Sequence, residues 1–327
     1  MYHTFCFIKF FNKRKMIRII LLVIGGVLLL FQQYLVSVST DSQFIIFLTG
    51  ILLLGVPHGA ADLLVASRNA DAGKKSFSKS RFLVIYLFRL FLFAAILFYF
   101  PVTGNLLFIF FAAYHFGETD LHQFKTNTVL GKLFVISYGL VILSVILLHH
   151  FEEVKPIFQL FEAGNKNEIL INWIAINRYY ILSAAGFLFF TTTFIYFLRN
   201  GNTNTNEKGQ FLIRFAIILI ILFNLPMLLG FTFYFVVWHS VISLNNIVLY
   251  LRNHNTYPMN VIARQILLYS VLAITGIGLF GLTGFMFISS NAVAGYIFLG
   301  LAVLTAPHMQ IMHDMYNSIR AHKHALT

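Results

Sequence analysis

Long apolar runs separated by short polar segments dominate the chain, and no run alternates with period two. Runs of about 20 residues have the length an α-helix needs to cross a bilayer, and the missing alternation argues against a transmembrane barrel. Ten spans are expected, at 17–38, 43–66, 82–99, 104–124, 133–149, 179–198, 211–229, 231–251, 261–282 and 292–312. Gly230 would allow a tight turn between the seventh and eighth. The fold class is therefore all-α: a polytopic integral membrane helix bundle, with a single transmembrane domain over 1–327. The stretch 151–178 reads as the longest connection and 199–209 as a flexible tip.

Composition sharpens this picture. Of 327 residues, 59% are hydrophobic and 10% charged, where a soluble domain carries about a quarter charged. The net charge of +12 would suggest nucleic acid in a soluble protein. Here Lys and Arg cluster between apolar runs, at Lys9, Lys13 and Arg14, at Arg68, Lys74, Lys75, Lys79 and Arg81, and at Lys125 and Lys132. That is the positive-inside pattern, so nucleic acid is not an expected partner and both termini are placed on the cytoplasmic side of a cell (inner) membrane. The long connection, with Glu152, Glu153, Glu162 and Glu168 but also Lys155, Lys166 and Arg178, falls outside. No small-residue cleavage site follows the first apolar run, which reads as a retained span. The single Cys6 excludes an internal disulfide framework and a cysteine-rich metal site.

Against this apolar background, a few ionisable groups stand out, because each is costly at membrane depth. They lie in Pro57-His58-Gly59, in Tyr114-His115-Phe116-Gly117-Glu118-Thr119-Asp120-Leu121-His122, in Trp238-His239-Ser240 and in Pro307-His308-Met309. On the helical rise, His58 lies roughly 22 Å into its span, His115 roughly 17 Å, His239 roughly 12 Å and His308 roughly 24 Å. With a cytoplasmic N-terminus all four spans run inward, so the four imidazoles share the cytoplasmic half of the bilayer. Four parallel helices presenting histidine at similar depth could surround one metal ion. Imidazole suits iron, copper and zinc, and is easier to bury than a carboxylate. Asp62, four residues after His58, and Glu118, three after His115, stand at helical spacing to accept the second ring N–H of a bound imidazole. Taken singly, a membrane histidine is more often a hydrogen-bonded packing residue. His149 and His150 at a membrane exit, and His254, His322 and His324 in loop or tail, read that way or as solvated. Asp120 and His122 read as interfacial, as does His313, five residues from His308 and so on another face. Arg89, in mid-span, is expected to face the bundle interior, as a structural residue or as a partner for Glu118 or Asp62.

The segments Gly55-Val56-Pro57-His58-Gly59-Ala60-Ala61-Asp62, Ala113-Tyr114-His115-Phe116-Gly117-Glu118-Thr119-Asp120, Trp238-His239-Ser240 and Pro307-His308-Met309 together resemble the Brp/Blh family. The resemblance runs from the second span to the tenth. It implies an Fe(2+)-dependent β-carotene 15,15′-dioxygenase that takes β-carotene and O2 to two molecules of retinal, with a functional link to a retinal-binding opsin. It also implies iron ligation by His58, His115 and His239. The family's third motif usually carries a second histidine four residues on, where this chain has Ser243. His308 is the candidate for the vacant ligand position. Two other readings stand beside this one. The first is a family member that binds carotenoid or retinal without cleaving it. The second is a transporter whose polar pathway runs through Arg89, Glu118, Asp120 and Asp62.

Overall fold

A computed structural model describes residues 2–73, 76–160, 168–201, 205–253, 258–285 and 293–325. The expectations for Lys74, Lys75, Glu162, Lys166 and His254 lie outside these residues. So do the side-chain expectations for Cys6, Lys9, Lys13, Arg14, His322 and His324.

Helices account for nearly all of the described chain, and no strand occurs among the described residues. In order they are α1 (Tyr2–Leu30), α2 (Thr40–Gly50), α3 (Val56–Ala60), α4 (Asp62–Ala72), α5 (Lys79–Tyr99), α6 (Pro101–Leu121), α7 (Val129–Ser144), α8 (Phe151–Leu160), α9 (Glu168–Arg199), α10 (Thr205–Asn224), α11 (Met227–Phe231), α12 (Val241–Asn253), α13 (Met259–Phe285) and α14 (Val293–Ala325). Four π-helical stretches, Phe31–Leu35, Ile51–Gly55, Val145–His149 and Thr232–Ser240, join or extend them. Local signals fix the starts. The side chains of Ser39, Ser78 and Thr128 accept the N–H groups of Ser42, Arg81 and Gly131, and Pro101 opens α6, the usual chemistry of a helix N-terminus.

By length and composition seven helices among the described residues can cross a membrane: Lys15–Leu35, Thr40–Asp71, Lys79–Tyr99, Val129–His149, Glu168–Arg199, Met227–Arg252 and Met259–Leu279. The remaining expected spans overlap α6, α10 and α14, none of which is among those seven. Two segment boundaries differ from expectation. The break between the seventh and eighth expected spans falls at Pro226, not Gly230: Pro226 precedes the first turn of α11, and Gly230 lies inside it, its N–H on the Pro226 carbonyl at 2.8 Å. A proline cannot donate to the previous turn and its ring crowds that turn, which favours a break there. The long connection is also largely helical, since α8 fills its start and α9 begins at Glu168.

α6 is the axis of the bundle. It packs against α5, α7 and α14, and every residue from His115 to Leu121 is buried, as befits a helix enclosed on all sides. Its seam with α7 is backbone against backbone. A Cβ on Gly117 would run into the Val135 carbonyl oxygen, and one on Gly139 into that of Ala113. Small residues allow this close approach between membrane helices. A large aromatic core built on Phe134, Tyr138, Phe189, Phe211 and Phe215 lies beyond α7. A second core joins α4, α12, α13 and α14 around Val65, Ile247, Met312 and Tyr316. The buried histidines lie where these layers meet.

Candidate metal centre

Three of the four deep histidines are presented by interrupted stretches of helix. His58 lies in the short α3, after the π-helical Ile51–Gly55 and before a turn at Ala61 (φ −74°, ψ −6°) that separates it from α4. His239 lies within the π-helical Thr232–Ser240. His308 follows Pro307, which sits inside α14 and leaves a backbone carbonyl one turn earlier without its N–H partner. Only His115 rides on regular helix. Irregular winding of this kind is common at functional sites.

The four rings converge and all are buried. Nitrogens of His58, His115 and His239 lie within 4.8 Å of one another. The Nε2 atoms of His115 and His239 are 3.1 Å apart. The His308 ring stands edge-on to His58 at 4.9 Å and to His115 at 5.0 Å between centroids. Two nitrogens each about 2.1 Å from one metal stand about 3.0 Å apart when they subtend roughly a right angle at it. The closest pair therefore has the separation that two ligands of one ion would have. Apolar rings close the surroundings: Phe116 lies 4.8 Å from His239, and Phe235 stacks on it at 6.0 Å and 15°.

The carboxylates behave differently from the sequence expectation. Asp62 does not bond His58, its neighbour in sequence. Its Oδ1 accepts from His308 Nδ1 at 2.7 Å, and its Oδ2 accepts from the Tyr86 hydroxyl at 3.1 Å. The turn at Ala61 breaks the i, i+4 relation that a continuous helix would have kept. Glu118 does not bond His115. Its Oε1 accepts from Arg320 Nη2 at 2.7 Å, from His313 Nδ1 at 2.9 Å and from the Tyr114 hydroxyl at 3.3 Å. Several buried atoms remain without a hydrogen-bond partner: Nδ1 of His58, His115 and His239, Nε2 of His308, Oε2 of Glu118 and Oγ of Ser243. Such atoms are rare in native interiors and concentrate where a ligand or ion belongs.

Three further residues depart from expectation. Arg89 is exposed on α5, because Tyr86, Phe93 and Leu97 carry that helix's inward face; the cation facing Glu118 is Arg320. Asp120 is not interfacial but buried, with three side-chain donors on its carboxylate: the Tyr138 hydroxyl at 2.6 Å, the Tyr234 hydroxyl at 3.0 Å and Trp238 Nε1 at 3.0 Å. His313 does lie on another face from His308, yet it joins the Glu118 cluster rather than solvent alone. Arg320 escaped sequence reasoning. Its signal was the spacing of four through His308, Met312, Tyr316 and Arg320, all of them buried. His150 is structural, with Nε2 on the Leu222 carbonyl at 3.1 Å and Nδ1 3.4 Å from Glu153. His122 binds the Thr119 carbonyl at 2.7 Å.

Comparison with known proteins fits this geometry. Residues 49–316 match the family described as beta-carotene 15,15'-dioxygenase. A curated beta-carotene 15,15'-dioxygenase from uncultured marine bacterium 66A03 is 24% identical over 268 residues, covering 81% of this chain and 91% of that protein. No solved structure matches. All four deep histidines fall inside the matched region.

Proposed function

Because the chain belongs to the beta-carotene 15,15'-dioxygenase family, we propose that it splits β-carotene with O2 at the central double bond, giving two molecules of retinal, at a ferrous site inside the membrane. The ligands are His58, His115 and His239, with His308 as the fourth. The observation that carries this reading is the buried convergence of three imidazole nitrogens within 4.8 Å. Neutral imidazoles suit iron, and the set contains no thiolate. Ferrous iron supplies the electrons that make O2 reactive toward an alkene. The stoichiometry balances without other reagents: one C=C bond breaks, and each of its carbons gains one oxygen atom.

The chain's own residues prepare the site. Asp62 holds the Nδ1 proton of His308, which fixes the tautomer with a lone pair on Nε2. Phe116 and Phe235 pack beside His239 and keep water from the reacting groups. The substrate dissolves in the bilayer, so a site within a bundle of apolar helices meets it there. We place the protein in the cell membrane with both ends on the cytoplasmic side, working as one transmembrane unit that supplies retinal to an opsin.

The test is expression in a bacterium that accumulates β-carotene. Retinal should appear as β-carotene falls. Persistence of β-carotene beside well-expressed protein would sink the reading. His58→Ala and His115→Ala should each purify with little iron, and unchanged iron content in both would exclude them as ligands. A second reading, binding without cleavage, rests on Ser243, a buried hydroxyl without a partner one turn beyond His239. If the wild type is inactive and Ser243→His cleaves β-carotene, this second reading is correct.

A further inference from the structure

His115 and His239 come from helices far apart in sequence, and their Nε2 atoms are 3.1 Å from each other. Something must hold that separation. The backbone of Thr232–Ser240 is wound as a π-helix, a rare form found mostly as single-turn insertions at functional sites.

We infer that Asp120 is the positioning residue for His239, a role that rests on the metal reading given above. Asp120 is five residues after His115 on the same helix. Its carboxylate accepts two donors from the segment that carries His239. The Tyr234 hydroxyl binds Oδ2 at 3.0 Å, and Trp238 Nε1 lies 3.0 Å from both oxygens. These two residues stand four apart, so they grip one flank of the segment at two points and fix its rotation. His239 is next to Trp238 and inherits its direction from that grip. The third donor, the Tyr138 hydroxyl at 2.6 Å, comes from α7 and also bonds the Tyr234 hydroxyl, which ties α7 into the same grip. The far side of Asp120 is anchored as well, because Arg18 Nη2 donates to its backbone carbonyl at 3.3 Å while Nη1 donates to Gln123 at 3.1 Å. Both ligands are thereby referenced to α6: His115 directly, and His239 through one carboxylate. A buried carboxylate with this many donors is a rigid element, since each bond is charge-assisted and none competes with water.

The contrast between the Trp238 donor and the Tyr196 hydroxyl, which donates to the Lys125 carbonyl at 3.0 Å, provides the test. Full-length wild type, Trp238→Phe, Tyr196→Phe and Asp120→Asn would be purified in detergent. Co(II) affinity would be measured by chelator competition, the Co(II) ligand-field spectrum recorded, and thermal unfolding followed separately. Trp238→Phe keeps an aromatic ring but removes the N–H; it should weaken Co(II) binding about tenfold or more and shift the visible bands. Asp120→Asn should do the same if it folds. Tyr196→Phe removes a donor outside the Asp120 network, and should lower the unfolding temperature while leaving Co(II) affinity and spectrum unchanged. Wild-type affinity and spectrum in Trp238→Phe would overturn the positioning role alone. Equal loss of affinity in Tyr196→Phe would also overturn it, by showing that affinity merely follows stability. A wild type that binds neither Co(II) nor Fe(II) would overturn the metal reading, and the positioning role with it.

Discussion

Asp62 serves a histidine on a different helix. Its sequence neighbour His58 lies across the turn at Ala61, and its hydrogen bond goes to His308, 246 positions away. In Asp62→Asn the acceptor is weakened and the His308 tautomer is no longer fixed. The iron-to-protein ratio after dialysis should fall, with affinity down about tenfold; full retention would remove His308 from the ligand set. At this scale the sequence marked which histidines converge and was less informative about whom the acids touch. All four histidines and both acids stood out because ionisable groups are rare in such apolar runs. Their pairing was hidden, because spacing arguments assume unbroken helix and the deciding contacts come from other spans.

At the scale of elements, the seam between α6 and α7 is the most demanding contact. Gly139→Ala would drive a methyl group into the Ala113 backbone carbonyl, and backbone cannot step aside as a side chain can. A loss of about 3 kcal/mol or more is expected, seen as a lower thermal midpoint in detergent. Gly186→Ala in α9 is the matched control. Its Cβ would meet nothing within 4 Å, so stability should hold or rise by about 1 kcal/mol, the helix propensity difference. Helices were legible here because hydropathy reports length and burial directly. The π-helical stretches were not, since one extra residue in a turn leaves no hydropathy trace. That is also why Trp238 and Tyr234 were not connected to Asp120 in advance.

Across the whole molecule, the last helix ties the bundle together. α14 runs from the layer around Val303 past His308 to Arg320, whose guanidinium meets Glu118 on α6 with both groups buried. Arg320→Met would strand that carboxylate, although His313 and Tyr114 still reach it. Destabilisation of about 3–5 kcal/mol is expected, with recovery when Glu118→Gln is added; a single variant as stable as wild type would show that the pair carries no weight. Sequence reading took the segment after His313 for a polar tail because its charges are dense. The face marked every four residues was the overlooked clue.

Arg89 has a consequence outside the protein. It is exposed halfway along α5, among Ile85, Phe88 and Leu92, which are exposed too. A guanidinium at that depth draws headgroups and water toward itself, and the leaflet thins around it. The flank beside α5 is then a shallower and wetter solvent than the bilayer along α9 or α13. A rigid polyene dissolves best where acyl chains are long and dry. The lipid shell itself therefore grades the approaches to the protein, and on the function proposed above carotenoid is expected to arrive from the sides away from Arg89.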